Sequence, residues 1–320
     1  GCEPDWADTE TLETLDLCLG CKACQYECPA AVDVATLKAE YLAQSMRAGR
    51  GASLRTRLKG NVRRLNQIGS ALHPISTVLM QRGPTAWLIK RLMGVAPSRT
   101  LPGFSRSLRR KCDTASNESS ERPVVVLYSD CFTTWTESAI GHDAIRLLEA
   151  FGYRVVIPKV GCCGRTQISA GLLDDAVRVI SKSARTIAAC IDQYDAVAVV
   201  AVEPSCATAM QQEWAQLKTS IPVATMERLA SIADTVEGFL AAHWDDHPQR
   251  PQFKSCDTAL PIHQHCHQKH RGDLTELFLK QCGWNGAALL DTGCCGMAGA
   301  FGYDQKHEQL SRAIGDDSLS

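Results

Sequence analysis

The hydrophobic pattern changes character along the chain. Leu54, Leu58, Val62, Leu65 and Ile68 recur at the three-to-four spacing of an amphipathic helix. A second apolar set follows at Trp87, Leu88, Leu92 and Met93, and Pro74, Pro84, Pro97 and Pro102 divide the stretch into short helices. Beyond residue 122, β-branched runs alternate with longer helical periods. They predict strands at Val124–Tyr128, Val155–Ile157 and Val197–Val202, and helices at Glu137–Phe151 and Leu172–Cys190. Such alternation means α/β layering on a mainly parallel sheet. The polar, turn-rich stretch 113–122 between the two patterns reads as a linker.

Charge sharpens that division. Residues 1–41 carry nine acids and two bases, whereas Leu42 to Cys112 holds fifteen Lys or Arg and no acid, including Arg55, Arg57, Lys59, Arg63, Arg64, Lys90, Arg91, Arg109, Arg110 and Lys111. A basic amphipathic helix can lie on an anionic membrane surface or dock on an acidic partner; the plainer alternative is a solvated basic face. Nucleic acid is a poor candidate, because the bases interleave with no recognisable binding motif. With 320 residues, 45% hydrophobic and 22% charged, the chain reads as globular, with about two domains. No apolar run reaches the roughly 18 residues of a membrane span. No signal peptide argues for an oxidising compartment, so the expected location is cytoplasmic, with peripheral contact at the inner face of the membrane through the basic segment.

The outlier is cysteine, at 16 residues, too dilute for a disulfide framework and more than an ordinary enzyme needs. Cys18, Cys21, Cys24 and Cys28, followed by Pro29, form the C-x2-C-x2-C-x3-C-P run of a [4Fe–4S] ferredoxin. Three thiolates on a tight loop can cap three irons, while the fourth serves a second cluster. Zinc is the weaker reading, since zinc ribbons place a longer loop between cysteine pairs. No second run accompanies the first. Either Cys2 completes a site or the missing run lies upstream of Gly1, and the absent initiator Met favours the latter.

A second cysteine pattern is repeated. Gly161-Cys162-Cys163-Gly164 matches Gly293-Cys294-Cys295-Gly296, and Phe151-Gly152-Tyr153 before the first corresponds to Cys282-Gly283-Trp284 before the second. Each copy has a strand running into its cysteine pair, Val155–Ile157 or Ala287–Leu290. Each also has a cysteine after its first strand, Cys131 after Val124–Tyr128 and Cys266 after Ala259–Ile262. The second half is therefore an internal duplication. Cys206 joins Cys131, Cys162 and Cys163 at the carboxyl ends of parallel strands, where open α/β sheets bind ligands. Four convergent thiolates suit iron–sulfur or zinc. The 43-residue step from Cys163 to Cys206, repeated from Cys295, runs past Ser320, so the second copy is expected to be cut short. Cys112, Cys190, Cys256 and Cys282 read as packing residues.

His263, His265, His267 and His270 surround Cys266. Hydrogen bonding to a metal group suits them better than direct ligation, and an extended segment would put the first three on one side. Gly296, Gly299 and Gly302 let backbone approach a cofactor. No G-x-G-x-x-G or P-loop occurs, so no dinucleotide site is expected.

In their order, the ferredoxin run, Gly94-Val95-Ala96-Pro97, Glu203-Pro204-Ser205-Cys206, His265-Cys266-His267-Gln268-Lys269 and Gly293 to Gly299 resemble a known family. It is the carboxyl-terminal iron–sulfur part of bacterial FAD-linked oxidases of the D-2-hydroxyglutarate and D-lactate dehydrogenase type. Iron–sulfur subunits of glycolate oxidase, anaerobic glycerol-3-phosphate dehydrogenase and heterodisulfide reductase are similar. The resemblance implies an FAD domain upstream and electrons passing through [4Fe–4S] centres to a quinone or another acceptor. It implies metal ligation by Cys18, Cys21, Cys24, Cys28, Cys131, Cys162, Cys163, Cys206, Cys266, Cys294 and Cys295. Two departures stand out: the upstream ferredoxin cysteines and flavin domain are missing, and the last copy is short. A heterodisulfide-type thiol enzyme and a zinc-binding scaffold remain the alternatives. The expected order is a ferredoxin-like segment over 1–45, a basic helical region and linker over 46–122, and Cys-Cys-Gly modules over 123–250 and 251–320.

Overall fold

The computed structural model describes residues 5–108 and 121–319. Cys2, Cys112, Arg109, Arg110, Lys111 and most of the polar linker lie outside the described residues.

Three helices open the described chain: α1 (Thr9–Asp16), α2 (Ala23–Glu27) and α3 (Val34–Ser45). Asp8 and Asp33 start α1 and α3 by accepting hydrogen bonds from Thr11 N and Thr36 N. The acid-free region forms α4 (Leu54–Gly60), α5 (Val62–Ala71), α6 (Ile75–Gln81) and α7 (Gly83–Met93). Pro74 precedes α6, whereas Pro84 sits in the first turn of α7, where its missing N–H costs nothing. The proline that reads as a break in the sequence pattern is therefore the start of α7.

The α/β expectation holds. β1 (Val124–Tyr128) leads through α8 (Cys131–Trp135) and α9 (Ser138–Ala150) to β2 (Arg154–Val156). α10 (Arg165–Ser169) and α11 (Leu173–Tyr194) lead to β3 (Ala198–Ala201), then α12 (Pro204–Thr208), α13 (Val223–Ile232), β4 (Ala233–Thr235) and α14 (Val236–Ala242). The sheet order is β2-β1-β3-β4 and every pair is parallel, with Val125 opposite Val155 and Ala198, and Val200 opposite Asp234.

Strand alternation sorts the core into two layers. Val124, Val126, Tyr128 and Val199 pack with Ala176, Ile180, Ala184, Ile187 and Ile191 of α11, which recur every three or four residues. Val125, Leu127, Ala198 and Val200 pack on the other face with Leu148, Phe151, Phe239 and Leu240. Both faces of β1 are covered, so all five of its residues are buried.

The second Cys-Cys-Gly copy is smaller. β5 (Leu260–Ile262), α15 (Leu274–Gln281) and β6 (Ala287–Leu289) give a two-stranded parallel sheet, followed by α16 (Glu308–Leu319). Its turn glycines repeat those of the first copy: Gly283 matches Gly152 at φ 85 and 88, and Gly296 matches Gly164 at φ 73 and 87. Residues 94–96 bind this copy through Ala96 N to Tyr303 O at 2.8 Å and Gln305 N to Gly94 O at 2.9 Å. Lys59 Nζ pairs with Asp304 Oδ2 at 2.7 Å.

Candidate metal centre

Local sequence fixes each first-copy thiol at the start of a short helix. Asp130 Oδ1 accepts from Phe132 N and Thr133 N at 2.9 and 2.8 Å, which places Cys131 in the first turn of α8. Glu203 Oε1 accepts from Ser205 N and Ser205 Oγ at 3.2 and 2.7 Å, and with Pro204 it begins α12 just before Cys206. Gly164 turns the chain from Cys163 into α10. A Cβ at Gly164 would lie 2.5 Å from Ile180 Cδ1.

These turns gather Cys131, Cys162, Cys163 and Cys206, all buried, beyond the carboxyl ends of β1, β2 and β3. Cys131 Sγ lies 3.9 Å from Cys162 Sγ, and Cys206 Sγ lies 3.0 Å from Cys163 Sγ. Tyr128 Oη donates to Gly161 O at 3.0 Å and Trp214 Nε1 to Cys163 O at 2.8 Å, so the cysteine-pair backbone is held from both sides.

The four thiols do not ionise alike. Hydrogen bonds from Cys131 and then Cys163, with help from Gly164 N–H and Thr166, hold Cys162 as a thiolate with a pKa of about 2. Cys131 is pushed well up by its bond to Cys162 and by burial. For Cys206, the Cys163 contact lowers the pKa, but burial and the carboxylates of Asp130 and Glu203 outweigh it, and the group is pushed up to about 12. Cys163 is pushed well up by its bonds to Cys162 and Cys206 and by burial, so Cys162 is the thiol of the four that is held down. Arg63 of α5 faces the quartet: Nη1 donates to Ser129 O at 2.9 Å, Nη2 to Val160 O at 2.7 Å, and Nη1 stands 3.9 Å from Cys131 Sγ. Its guanidinium lies 4.5 Å over the Trp135 ring, which fixes its direction.

Among the described residues no three His, Cys, Asp or Glu side chains already enclose one metal-ion position; the four thiols are linked in series, Cys131 to Cys162, Cys162 to Cys163 and Cys163 to Cys206. Their chemistry nevertheless fits a thiolate-bound group. Four soft donors converge, the pKa of one is lowered, and the Arg63 guanidinium faces them.

In the ferredoxin-type run, Cys18 and Cys21 lie on the loop before α2, Cys24 lies within α2, and Cys28 leaves it in extended backbone at φ −78, ψ 127. All four are half-buried. Val34 N donates to Cys24 Sγ at 3.4 Å, and Lys38 Nζ to Cys18 O at 2.8 Å. The backbone N–H groups of Val32 and Ala30 lower the Cys28 pKa. Lys22, only 1% exposed, bends the loop into left-handed backbone at φ 61. Its Nζ lies 3.3 Å from Asp33 Oδ2 and 3.2 Å from Glu213 Oε1.

Arg165 completes this junction. It pairs with Glu213, donates from Nη2 to Gly20 O at 2.6 Å, and approaches His267 Nε2 at 3.4 Å. One guanidinium therefore touches the ferredoxin-type loop, the first copy and the second. Sequence reading missed Arg63, Lys22, Arg165 and Glu213 as parts of the site. No local signal marks them, because their partners lie far away along the chain.

The second-copy thiols are half-buried. Burial pushes Cys266 up to about 11, and the thiols of Cys21, Cys294 and Cys295 add to the shift. Cys21, assigned to the ferredoxin-type run, is thus also an electrostatic neighbour of the second copy. Lys269 Nζ covers the Cys-Cys-Gly backbone through Thr292 O at 2.6 Å and Gly293 O at 3.0 Å. The histidine segment is not extended: Gln268 N bonds to His265 O at 2.8 Å, closing a turn. The turn still brings the rings of His265 and His267 within 5.5 Å, while His263 Nδ1 meets Thr292 Oγ1 at 2.8 Å instead. Burial, with Arg165 and His265 next to it, lowers His267 to about 2, so this ring is neutral.

Comparison with known proteins agrees with this geometry. Residues 125–211 match the family model described as the CCG cysteine-rich domain, a span that holds all four first-copy thiols. Over 273 residues the chain is 24% identical to an anaerobic glycerol-3-phosphate dehydrogenase subunit of Escherichia coli, covering 82% of this chain and 66% of that protein. It is 24% identical over 343 residues to the D-2-hydroxyglutarate dehydrogenase of Pantoea ananatis, covering 97% of this chain and 30% of the relative. The Pseudomonas putida D-2-hydroxyglutarate dehydrogenase is 21% identical over 327 residues, with the same coverage of 97% and 30%. The chain therefore spans just under two thirds of the first relative and under a third of the other two. No solved structure matches it. The buried thiol quartet thus lies inside the span that matches the CCG cysteine-rich domain model, in a chain similar to proteins named as dehydrogenases.

Proposed function

We propose that this chain is the iron–sulfur electron-transfer portion of an FAD-linked 2-hydroxy-acid dehydrogenase, passing electrons from a flavin domain to a quinone or another acceptor. The convergence of Cys131, Cys162, Cys163 and Cys206 in one buried pocket carries this reading. Cys18, Cys21, Cys24 and Cys28 would hold a [4Fe–4S] cluster, the first-copy quartet a second iron–sulfur group or zinc, and Cys266, Cys294 and Cys295 part of a third site. Bound iron–sulfur groups would supply one-electron transfer. The chain's own residues do the rest. Arg63 offsets the thiolate charge, Lys22 and Arg165 hold the ferredoxin-type loop against the α/β unit, and the covered sheet keeps water from the quartet.

Anaerobic reconstitution with iron and sulfide tests the reading. Iron and acid-labile sulfide in comparable amounts are expected, with an EPR signal that appears on reduction, and Cys163→Ser should remove part of the iron. Zinc without sulfide would overturn it in favour of a scaffold. A signal that changes only on adding a disulfide substrate would favour thiol chemistry instead, for which the 3.0 Å Cys163–Cys206 contact is the supporting observation.

A further inference from the structure

The cysteine pair is gripped from two sides, and the two grips meet again at a cleft farther out. On one side Ser183 of α11 accepts from Gly161 N at 3.0 Å and donates to Cys162 O at 3.4 Å. On the other, Trp214 donates to Cys163 O. Just beyond Trp214 the chain forms a loop over 217–220, anchored at its ends by Leu217 and Ile221, which pack on the core. Thr219 shapes this loop: its N donates to Leu217 O at 2.8 Å and its Oγ1 accepts from Ile221 N at 3.3 Å. Between the loop and α11 lies an open cleft of about 500 Å³. Arg178, Ser181 and Arg185 line it from α11, three or four residues apart and so on one face, and Lys218, Thr219 and Ser220 line it from the loop. No lining residue is acidic, and Val177 is the one apolar side chain among them. Arg185 Nη2 donates to Ser220 Oγ at 2.6 Å, which draws helix and loop together and fixes the guanidinium at the cleft. Among the described residues, Asp175 is the one carboxylate in an ion pair with these cations, through Arg178. An exposed pair of that kind is weak and is readily exchanged.

Ser181 is an independent sign of a ligand. It is 6% exposed and lines the cleft, yet among the described residues its hydroxyl has no hydrogen-bond partner. A serine or threonine inside a helix can turn its hydroxyl back to the carbonyl one turn earlier, as Thr186 does to Lys182 O at 3.0 Å. Ser181 does not, and a buried hydroxyl left unpaired costs free energy that a bound oxygen anion would recover. We propose that this cleft binds a sugar phosphate, with the phosphoryl group held by Arg178, Arg185, Lys218 and the Ser181 hydroxyl. A carboxylate presents two oxygens, whereas a phosphate ester presents three terminal ones, enough for two guanidinium forks, an ammonium and a hydroxyl together. The cleft lies within the roughly 300–1,000 Å³ of small-molecule sites, so it has room for more than the bare anion. Its lining is almost wholly polar and holds no aromatic ring on which a nucleobase could stack, so the rest of the ligand must itself hydrogen-bond, as a sugar does. A ligand spanning α11 and the loop would tie together the two elements that hold the Cys162–Cys163 backbone. The inference does not depend on the metal reading, because neither side of the cleft contains a thiol of the quartet.

Isothermal titration of the full chain with glucose-6-phosphate, inorganic phosphate, malonate and glucose tests the assignment. Glucose-6-phosphate should bind most tightly, inorganic phosphate more weakly and malonate more weakly still, and glucose should give no heat of binding. Saturating glucose-6-phosphate should raise the thermal midpoint. A combined Arg185→Gln and Lys218→Gln variant, changed at two exposed positions, should bind it about tenfold or more weakly. Ser181→Ala should bind it about threefold more weakly. Without ligand, the midpoint of that variant should equal or exceed the parent's, because the change removes an unpaired hydroxyl. No binding of glucose-6-phosphate, malonate bound as tightly, or undiminished binding by the double variant would overturn the proposal. So would equal affinity for inorganic phosphate, which would mean an adventitious ion only, or a Ser181→Ala chain that binds as the parent does.

Discussion

The two Cys-Cys-Gly copies share a tetrapeptide and the same left-handed turn glycines, yet they treat their thiols differently. In the first, a four-stranded sheet covered on both faces buries Cys131, Cys162, Cys163 and Cys206 together. In the second, a two-stranded sheet leaves Cys266, Cys294 and Cys295 half-buried and next to Cys21 of another segment. The motif fixes the local turn, and the amount of sheet around it fixes how far the thiols are withdrawn from water. The first copy gathers its four thiols from its own strands, with Arg63 of α5 facing them, whereas the second-copy thiols have a cysteine of another segment as a neighbour.

The largest expected effect lies where the copies meet. Glu213, 4% exposed, faces both Lys22 and Arg165. Glu213→Ala leaves the half-buried Arg165 without its carboxylate and the buried Lys22 with Asp33 as its one remaining carboxylate, and should cost about 3 kcal/mol, read as a drop in denaturant midpoint at constant m-value. A loss below about 1 kcal/mol, the worth of a surface pair, would mean that the ferredoxin-type loop is not clamped.

A smaller effect separates the two turns. Alanine at either Gly164 or Gly296 meets a left-handed backbone penalty of about 1–2 kcal/mol. At Gly164 the new Cβ would press on the Ile180 side chain, which can shift; at Gly296 it would lie 2.1 Å from the Ser311 carbonyl oxygen, which cannot move without α16. Gly296→Ala should therefore destabilise more, by thermal unfolding. The reverse order would show that the second copy yields where the first is rigid.

The gentlest probe is thiol alkylation of the apoprotein, followed by mass spectrometry. The pKa of Cys162 is lowered, which favours its thiolate, but the residue is 3% exposed. Access should outweigh ionisation, so Cys294 and Cys295 should label about tenfold faster than Cys162. Faster labelling of Cys162 would mean that the first pocket opens readily.

Several of these features are legible in residue order. Continuous β-branched runs announce β1, β2 and β3 to within a residue or two, because buried parallel strands need apolar residues on both faces. β4, reading Ala233-Asp234-Thr235, has no such run and cannot be seen in the pattern; its place is set by pairing with β3. The duplicated tetrapeptide is visible because a left-handed turn beside a cysteine pair demands the same residues twice. Whether Leu54, Leu58, Val62, Leu65 and Ile68 point inward is not visible. Periodicity shows that a helix has an apolar side and leaves open which side the protein covers. Leu54 and Ile68 are exposed, while Gly69 and Ser70 are buried against the 103–105 loop.

The sequence by itself determined the α/β unit, the ferredoxin-type run, the repeated cysteine turn and the acid-free helical segment. Each is encoded in neighbouring residues, through backbone preference, side-chain period or metal-ligand spacing. Only the tertiary structure decided that Arg63 faces the thiol quartet and that Arg165 joins three segments. It also decided that Cys21 stands by the second copy and that α5 to α7 turn their apolar side outward. Those outcomes depend on groups far apart in the chain meeting in a medium of low dielectric, where a guanidinium, a carboxylate or a serine finds its partner by distance through space.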